Sequence, residues 1–88
     1  MGKQVKIIFT SHALRKLEIL KKHGLNIIKK EIKDTILTPN NLDTVSDEPN
    51  FIASKDYDDR HVLRVVYKIE SGIIKVITFY PAEKGRYY

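Results

Sequence analysis

Residues 61–80 read HVLRVVYKIESGIIKVITFY. Two runs rich in β-branched and aromatic residues, HVLRVVYKI (61–69) and IIKVITFY (73–80), flank Glu70-Ser71-Gly72. That pattern predicts a β-hairpin with Ser71 and Gly72 as its two loop residues. A two-residue loop fixes the register. Glu70 should face Ile73, Ile69 face Ile74, Tyr67 face Val76, Val65 face Thr78 and Leu63 face Tyr80. The alternate set pairs Lys68 with Lys75, Val66 with Ile77 and Arg64 with Phe79. The first set is the more apolar and should lie under the helices. The second leaves Arg64, Lys68 and Lys75 on an open face beside Val66, Ile77 and Phe79. Lysines directly opposite each other repel mildly. They are tolerated where an anion sits between them or where both splay into water, and splaying is the expectation here.

Upstream, VKIIF (5–9) reads as a strand, and Thr10 or Ser11 offers a helix N-cap. HALRKLEILKKHG (12–24) places Leu14, Leu17 and Leu20 at helical spacing, with Gly24 as the C′ residue. A second helix is expected from about Ile27 to Leu37, with Ile28, Ile32 and Ile36 as its apolar stripe and Lys29, Lys30 and Lys33 on the other face. TPNN (38–41) stops it. The short break between the helices predicts an antiparallel helical hairpin. LDTVSDEPN (42–50) is weakly patterned and has room for a short strand around Asp43–Ser46. FIASKDY (51–57) reads as a strand and YDDR (57–60) as a turn. The expected fold is α+β: one domain over residues 1–88, ordered β-α-α-β-β-β, with an antiparallel sheet and the helical hairpin on one face.

The totals agree with one small domain, since 88 residues leave no room for a second core. Net charge is +5, distributed unevenly. Residues 1–33 hold nine Lys/Arg against two Glu, and residues 43–59 hold six acids against Lys55 alone. A basic body with one acidic segment suits a polyanionic partner. There is no cysteine, which excludes disulfides, thiolate metal sites and cysteine nucleophiles. His12, His23 and His61 do not fall at metal-ligand spacing from one another, and DYDD (56–59) lacks the central Gly and late Glu of a calcium loop. No Gly-rich phosphate loop occurs, so neither metal nor nucleotide cofactor is expected. The apolar run in VKIIF is too short for a signal peptide or a membrane span. The expectation is a soluble cytoplasmic protein with no membrane partner.

Phosphodiester cleavage needs no metal if the protein supplies a general base, a general acid and fixed cations. Arginine suits the last role because its planar fork grips two oxygens and stays charged. Arg64 lies in mid-strand, with Arg60 and His61 at the start of that strand. The stretch YPAEKGRYY (80–88) brings Lys84 and Arg86 just past the adjoining strand, together with Tyr87 and Tyr88. Tyrosines stack on unpaired bases or move protons. The expectation is that Pro81 stiffens the exit from the last strand and turns residues 82–88 toward Arg64, with Tyr80 toward the helices and Phe79 flooring the groove. RNA is then the partner, contacted by Arg60, His61, Lys68, Lys75, Phe79 and Lys84. The plainer alternative is a solvated strand arginine and a tail packed for stability.

LRVVYKIESGIIKVITFY (63–80), followed by a basic, tyrosine-containing tail, resembles the last hairpin and C-terminus of the RelE-like toxins, which are mRNA endonucleases. FTSHALRKLEILKKHGL (9–25) with VITFYPAEKGRYY (76–88) is similar more narrowly to the DUF4258 family. The resemblance spans nearly the whole chain. It implies a metal-independent RNA endonuclease of toxin type, acting with or without the ribosome and covered by an antitoxin protein. It matches the strand arginine to Arg64, the late arginine to Arg86, the C-terminal tyrosine to Tyr87 or Tyr88, and the narrower family's histidine to His12. These would be the catalytic residues, with 2′-hydroxyl attack leaving a cyclic phosphate. A binding module without activity, for nucleic acid or protein, is the alternative on the same scaffold.

Overall fold

The computed structural model describes residues 5–85. Its elements are β1 (Ile7–Phe9), α1 (Ser11–Lys22), α2 (Lys29–Leu37), β2 (Asn41–Asp43), β3 (Phe51–Asp56), β4 (His61–Glu70) and β5 (Ile73–Glu83). The strands form one five-stranded sheet in the order β1-β5-β4-β3-β2. β1 runs parallel to β5, and the other neighbouring pairs are antiparallel. The fold is α+β, but the sheet is mixed, which corrects the expected all-antiparallel sheet. The cause is the short strand β2. With one reversal per connection, six reversals separate β1 from β5, an even number, so the two run the same way. Without β2 the count would be odd and the pair antiparallel.

Both helices contribute to one core on one face of the sheet. Ala13, Leu17 and Leu20 of α1 and Ile32 and Ile36 of α2 meet Ala53, Leu63, Val65, Tyr67, Ile74, Val76 and Phe79 from the strands. Thr10 is the N-cap of α1: its hydroxyl accepts from the Ala13 N–H at 3.2 Å. The helix ends in a Schellman motif, with Leu25 N–H donating to the Leu20 carbonyl, Gly24 N–H to that of Lys21, and Gly24 at φ +83°. Leu14 is largely exposed, so the inward stripe is Ala13–Leu17–Leu20 and not the expected Leu14–Leu17–Leu20. The break between the helices is six residues (23–28), longer than a tight hairpin loop. Ile28 is the N-cap of α2 and exposed, its N–H donating to the Glu31 carboxylate at 3.0 Å. Ile27 is buried in its place.

The β4–β5 hairpin turns on Ser71 (φ 51°) and Gly72 (φ 75°), two consecutive positive φ values that match the right-handed strand twist. Lys68–Lys75 and Tyr67–Val76 pair as read from the sequence. Beyond them the register shifts: Val66 faces Thr78, and Ile77 is the extra residue of a bulge in β5. Every residue past the bulge changes faces. Phe79 pairs with Val65 and is fully buried under the helices, while Tyr80 pairs with Arg64 on the open face. This reverses the expected roles of Phe79 and Tyr80. The bulge is tied to the helix cap, since Thr10 Oγ1 donates to the Ile77 carbonyl at 3.2 Å and Thr10 N–H to that of Val76 at 3.1 Å.

Candidate functional site

Strand alternation and register place one polar row on the sheet face away from the helices: Tyr80 on β5, Arg64 on β4, Ser54 on β3 and Asn41 on β2. Arg64 Nε donates to Tyr80 Oη at 3.0 Å, and Nη1 donates to Ser54 Oγ at 3.2 Å. Its Cζ lies 5.8 Å from the centroid of the Tyr80 ring. Arg64 is only 6% exposed and Ser54 is fully buried. The guanidinium is therefore fixed in plane and direction, which suits recognition of a planar or tetrahedral oxyanion.

Asp43 stands on the same pleat of β2 as Asn41. The Ser46 backbone N–H and side chain, together with the Val45 N–H, hold its carboxyl down at about 2, with a smaller contribution from the Arg64 charge. Both N–H groups donate to Oδ1 at 2.9 Å. The folded value lies below the unfolded 3.8, so this stabilisation is complete above about pH 4 and lost as pH falls toward 2. Asp43→Asn should flatten the acid limb of stability between those values, measured by urea unfolding at a series of pH values. An unchanged limb would remove the turn around Asp43 from the account of acid lability.

A second cation meets Tyr80 from the helix side. Lys16 Nζ donates to Thr78 Oγ1 at 3.3 Å and lies 5.6 Å from the Tyr80 ring centroid and 5.9 Å from that of Phe79. Partial burial lowers its pKa. His12 and Arg15 join Lys16, Ile19 and Leu20 around an open hollow of about 230 Å³ on α1. Lys16 matters to this face, and the sequence signal for it was its position one turn after His12. Ser54 left no signal at all, since only the register across three strands brings it to Arg64.

Lys68 and Lys75 do not splay. The Glu70 carboxylate bridges them, Oε2 to Lys68 at 3.1 Å and Oε1 to Lys75 at 2.5 Å. Hydrogen bonds from Lys75 and then Lys68 hold Glu70 below the usual carboxylate range. The anion between the lysines is the protein's own, so one of the two positive charges at this end of the face is offset internally.

At the other end of the β4–β5 ladder, Asp59, Arg60, His61, Glu83 and Lys84 line an open depression of about 550 Å³. His61 Nδ1 contacts Asp58 Oδ1 at 2.9 Å, and Lys84 Nζ contacts Asp56 Oδ2 at 3.8 Å. Alternation puts His61 on the pleat opposite to Arg64, while Arg60 and Lys84 lie just past the last paired residues, joined by the Lys84 N–H to the Arg60 carbonyl.

Pro81 is not at the strand exit. It pairs with Leu63 inside β5, which continues to Glu83. Lys84 N–H donates to the Arg60 carbonyl, so alternation turns the N side of Pro81 away from β4, at a level beyond the end of β1. Gly85 follows β5 at φ +81°, the left-handed region that favours glycine. Arg86, Tyr87 and Tyr88, the expected tail catalysts, lie outside the described residues.

Among the described residues, no group of three or more His, Asp or Glu side chains is placed to hold a metal ion, and no helix is long and apolar enough to cross a membrane. No family model, curated protein or solved structure matches this chain.

Proposed function

We propose that the protein is a metal-independent RNA endonuclease of toxin type that binds its substrate across the open sheet face. The observation that carries this reading is the guanidinium of Arg64, fixed by Tyr80 and Ser54, with Lys16 against the same tyrosine. Fixed cations of this kind hold a phosphodiester without reorganising when its charge grows. Tyr80 offers a partly exposed ring beside them for an unpaired base. The reaction is attack of a 2′-oxygen on the adjacent phosphorus with loss of the 5′-oxygen, which leaves a cyclic phosphate. It needs an oriented proton acceptor. His12 lies on the α1 side of the face but makes no hydrogen bond among the described residues to orient it. Arg86, Tyr87 and Tyr88 keep the roles that the family resemblance gives them, and an antitoxin covering the basic face is the expected protein partner.

Pure protein incubated with end-labelled RNA in EDTA, with and without ribosomes, tests the reading. The expected result is cleavage in at least one condition, with cyclic phosphate ends. Salt-sensitive binding with intact RNA in both conditions would instead make the chain a binding module.

Glu70 supplies a further test of where RNA lies. Glu70→Gln frees Lys68 and Lys75 from their bridging carboxylate. RNA affinity should rise, and the slope of log affinity against log salt should steepen by about 0.7 for each new phosphate contact. An unchanged slope would keep RNA away from the hairpin end and confine it to the Arg64 row and the opposite strand ends.

A further inference from the structure

We propose that His61, oriented by Asp58, is the general base of the cleavage reaction, and that the linkage cut is the one held by Arg60 and Lys84 in the depression at the strand ends. This rests on the endonuclease reading. A carboxylate only accepts hydrogen bonds, so His61 Nδ1 must carry the proton it shares with Asp58 Oδ1 at 2.9 Å and Oδ2 at 3.2 Å. That fixes the tautomer and leaves the Nε2 lone pair as proton acceptor, the arrangement a general base needs.

Asp58 is itself held in place. Its Oδ1 accepts the backbone N–H groups of Arg60 and His61, both at 2.8 Å. The Arg60 N–H first, then the bond from His61, keeps its carboxyl below the usual range, so it stays charged at neutral pH and accepts from the ring. The groups around the ring are Asp58 and Asp59 of the turn, Arg60, and Glu83 and Lys84 at the end of β5, and the Tyr57 N–H donates to the His61 carbonyl. Glu83 is the direct cross-strand partner of His61.

Arg64 lies three residues along β4, about 10 Å by strand rise, and on the other pleat. It therefore grips a neighbouring phosphate while Arg60 and Lys84, just past the last paired residues of β4 and β5, lead the backbone to the strand ends. In the step itself His61 Nε2 takes the 2′-hydroxyl proton and the 2′-oxygen bonds to phosphorus. The bond from phosphorus to the 5′-oxygen breaks, its electron pair leaving with that oxygen. Water protonates the leaving oxygen, and the imidazolium returns its proton to the hydroxide so formed.

The test compares the parent with His61→Gln, His12→Gln and Asp58→Asn in RNA cleavage over a pH series, with circular dichroism to confirm folding. The parent rate should fall as pH drops, since a general base acts only in its unprotonated form. His61→Gln should lose at least about 100-fold, the usual worth of a general base, together with that acid limb. Asp58→Asn weakens the bond that orients the ring, so its rate should fall below the parent's while the fold is kept. His12→Gln should lose less than His61→Gln and keep that acid limb, because no partner among the described residues orients its ring. In a second measurement, RNA blocked by 2′-O-methyl groups should shift the His61 ring signal in NMR spectra of the intact parent. If the parent cleaves and His61→Gln keeps its rate and pH profile, or His12→Gln alone is inactive, the assignment is wrong while the endonuclease reading stands. If the parent cleaves no RNA with or without ribosomes, the endonuclease reading falls and the assignment falls with it.

Discussion

Phe79→Ala should cost the protein about 3–5 kcal/mol, a large part of the ~5–15 kcal/mol that keeps a typical domain folded. Phe79 is among the largest of the fully buried side chains and belongs to the core cluster that residues of both helices and of β4 share. Small domains bury a modest share of their surface and have little stability in reserve. Tyr80→Ala, one residue on, removes a partly buried ring and one hydrogen bond to Arg64, and should cost distinctly less. The order of the two effects reports the bulge at Ile77. An unbulged ladder would put Tyr80 in the core and Phe79 on the open face, and the costs would be reversed. Urea unfolding of both variants, with midpoints compared at matched slopes, decides it. A Phe79→Ala variant within about 1 kcal/mol of the parent would contradict the register, since truncating a buried Phe costs about 3 kcal/mol or more.

The same bulge marks how far the sequence could be read. Up to Tyr67–Val76 the pairing follows from the Ser71-Gly72 turn, because a two-residue loop permits one register. Past that point the alternation of IIKVITFY gives two answers. Ile77, Phe79 and Tyr80 are all plausible on either face, and no local feature of the strand announces an extra residue. What selects the bulge is remote. Thr10, far away in sequence, donates to the Ile77 carbonyl while capping α1. The direction of β1 was lost for a related reason. NLD (41–43) is too short to show a period, yet its existence alone sets the parity that makes β1 parallel to β5. The helices were legible because Thr10, Gly24 and the apolar spacing agree, although Leu14 and Ile28 turned out to face solvent. At the site, Arg64 was legible as a cation on the open face, and its partners were not. Tyr80 was assigned to the other side, and Ser54 and Lys16 are brought in by strands and a helix whose register depends on tertiary contacts.

Arg64→Ala should lower RNA affinity and cleavage by about 10–100-fold, because hydrogen bonds to a charged group contribute ~1.5–3 kcal/mol and each ~1.4 kcal/mol is tenfold. The salt slope should fall by about 0.7 for the lost phosphate contact. The substitution also leaves Ser54 Oγ, fully buried, without the Nη1 donor it now has, and Tyr80 Oη without Nε. A stability loss of about 1–3 kcal/mol is expected from that alone, so binding must be measured where the variant is shown to be folded. Arg64→Lys separates the two effects. It keeps the charge and the salt slope but loses the planar fork, so affinity should still drop while the slope stays near that of the parent. A purely structural arginine predicts a different pair of outcomes: Arg64→Ala would be less stable yet bind and cleave RNA with the parent's affinity, rate and salt slope. That result would reduce the Tyr80–Arg64–Ser54 row to an internal brace of the sheet and leave the strand-end cations as the RNA-binding groups.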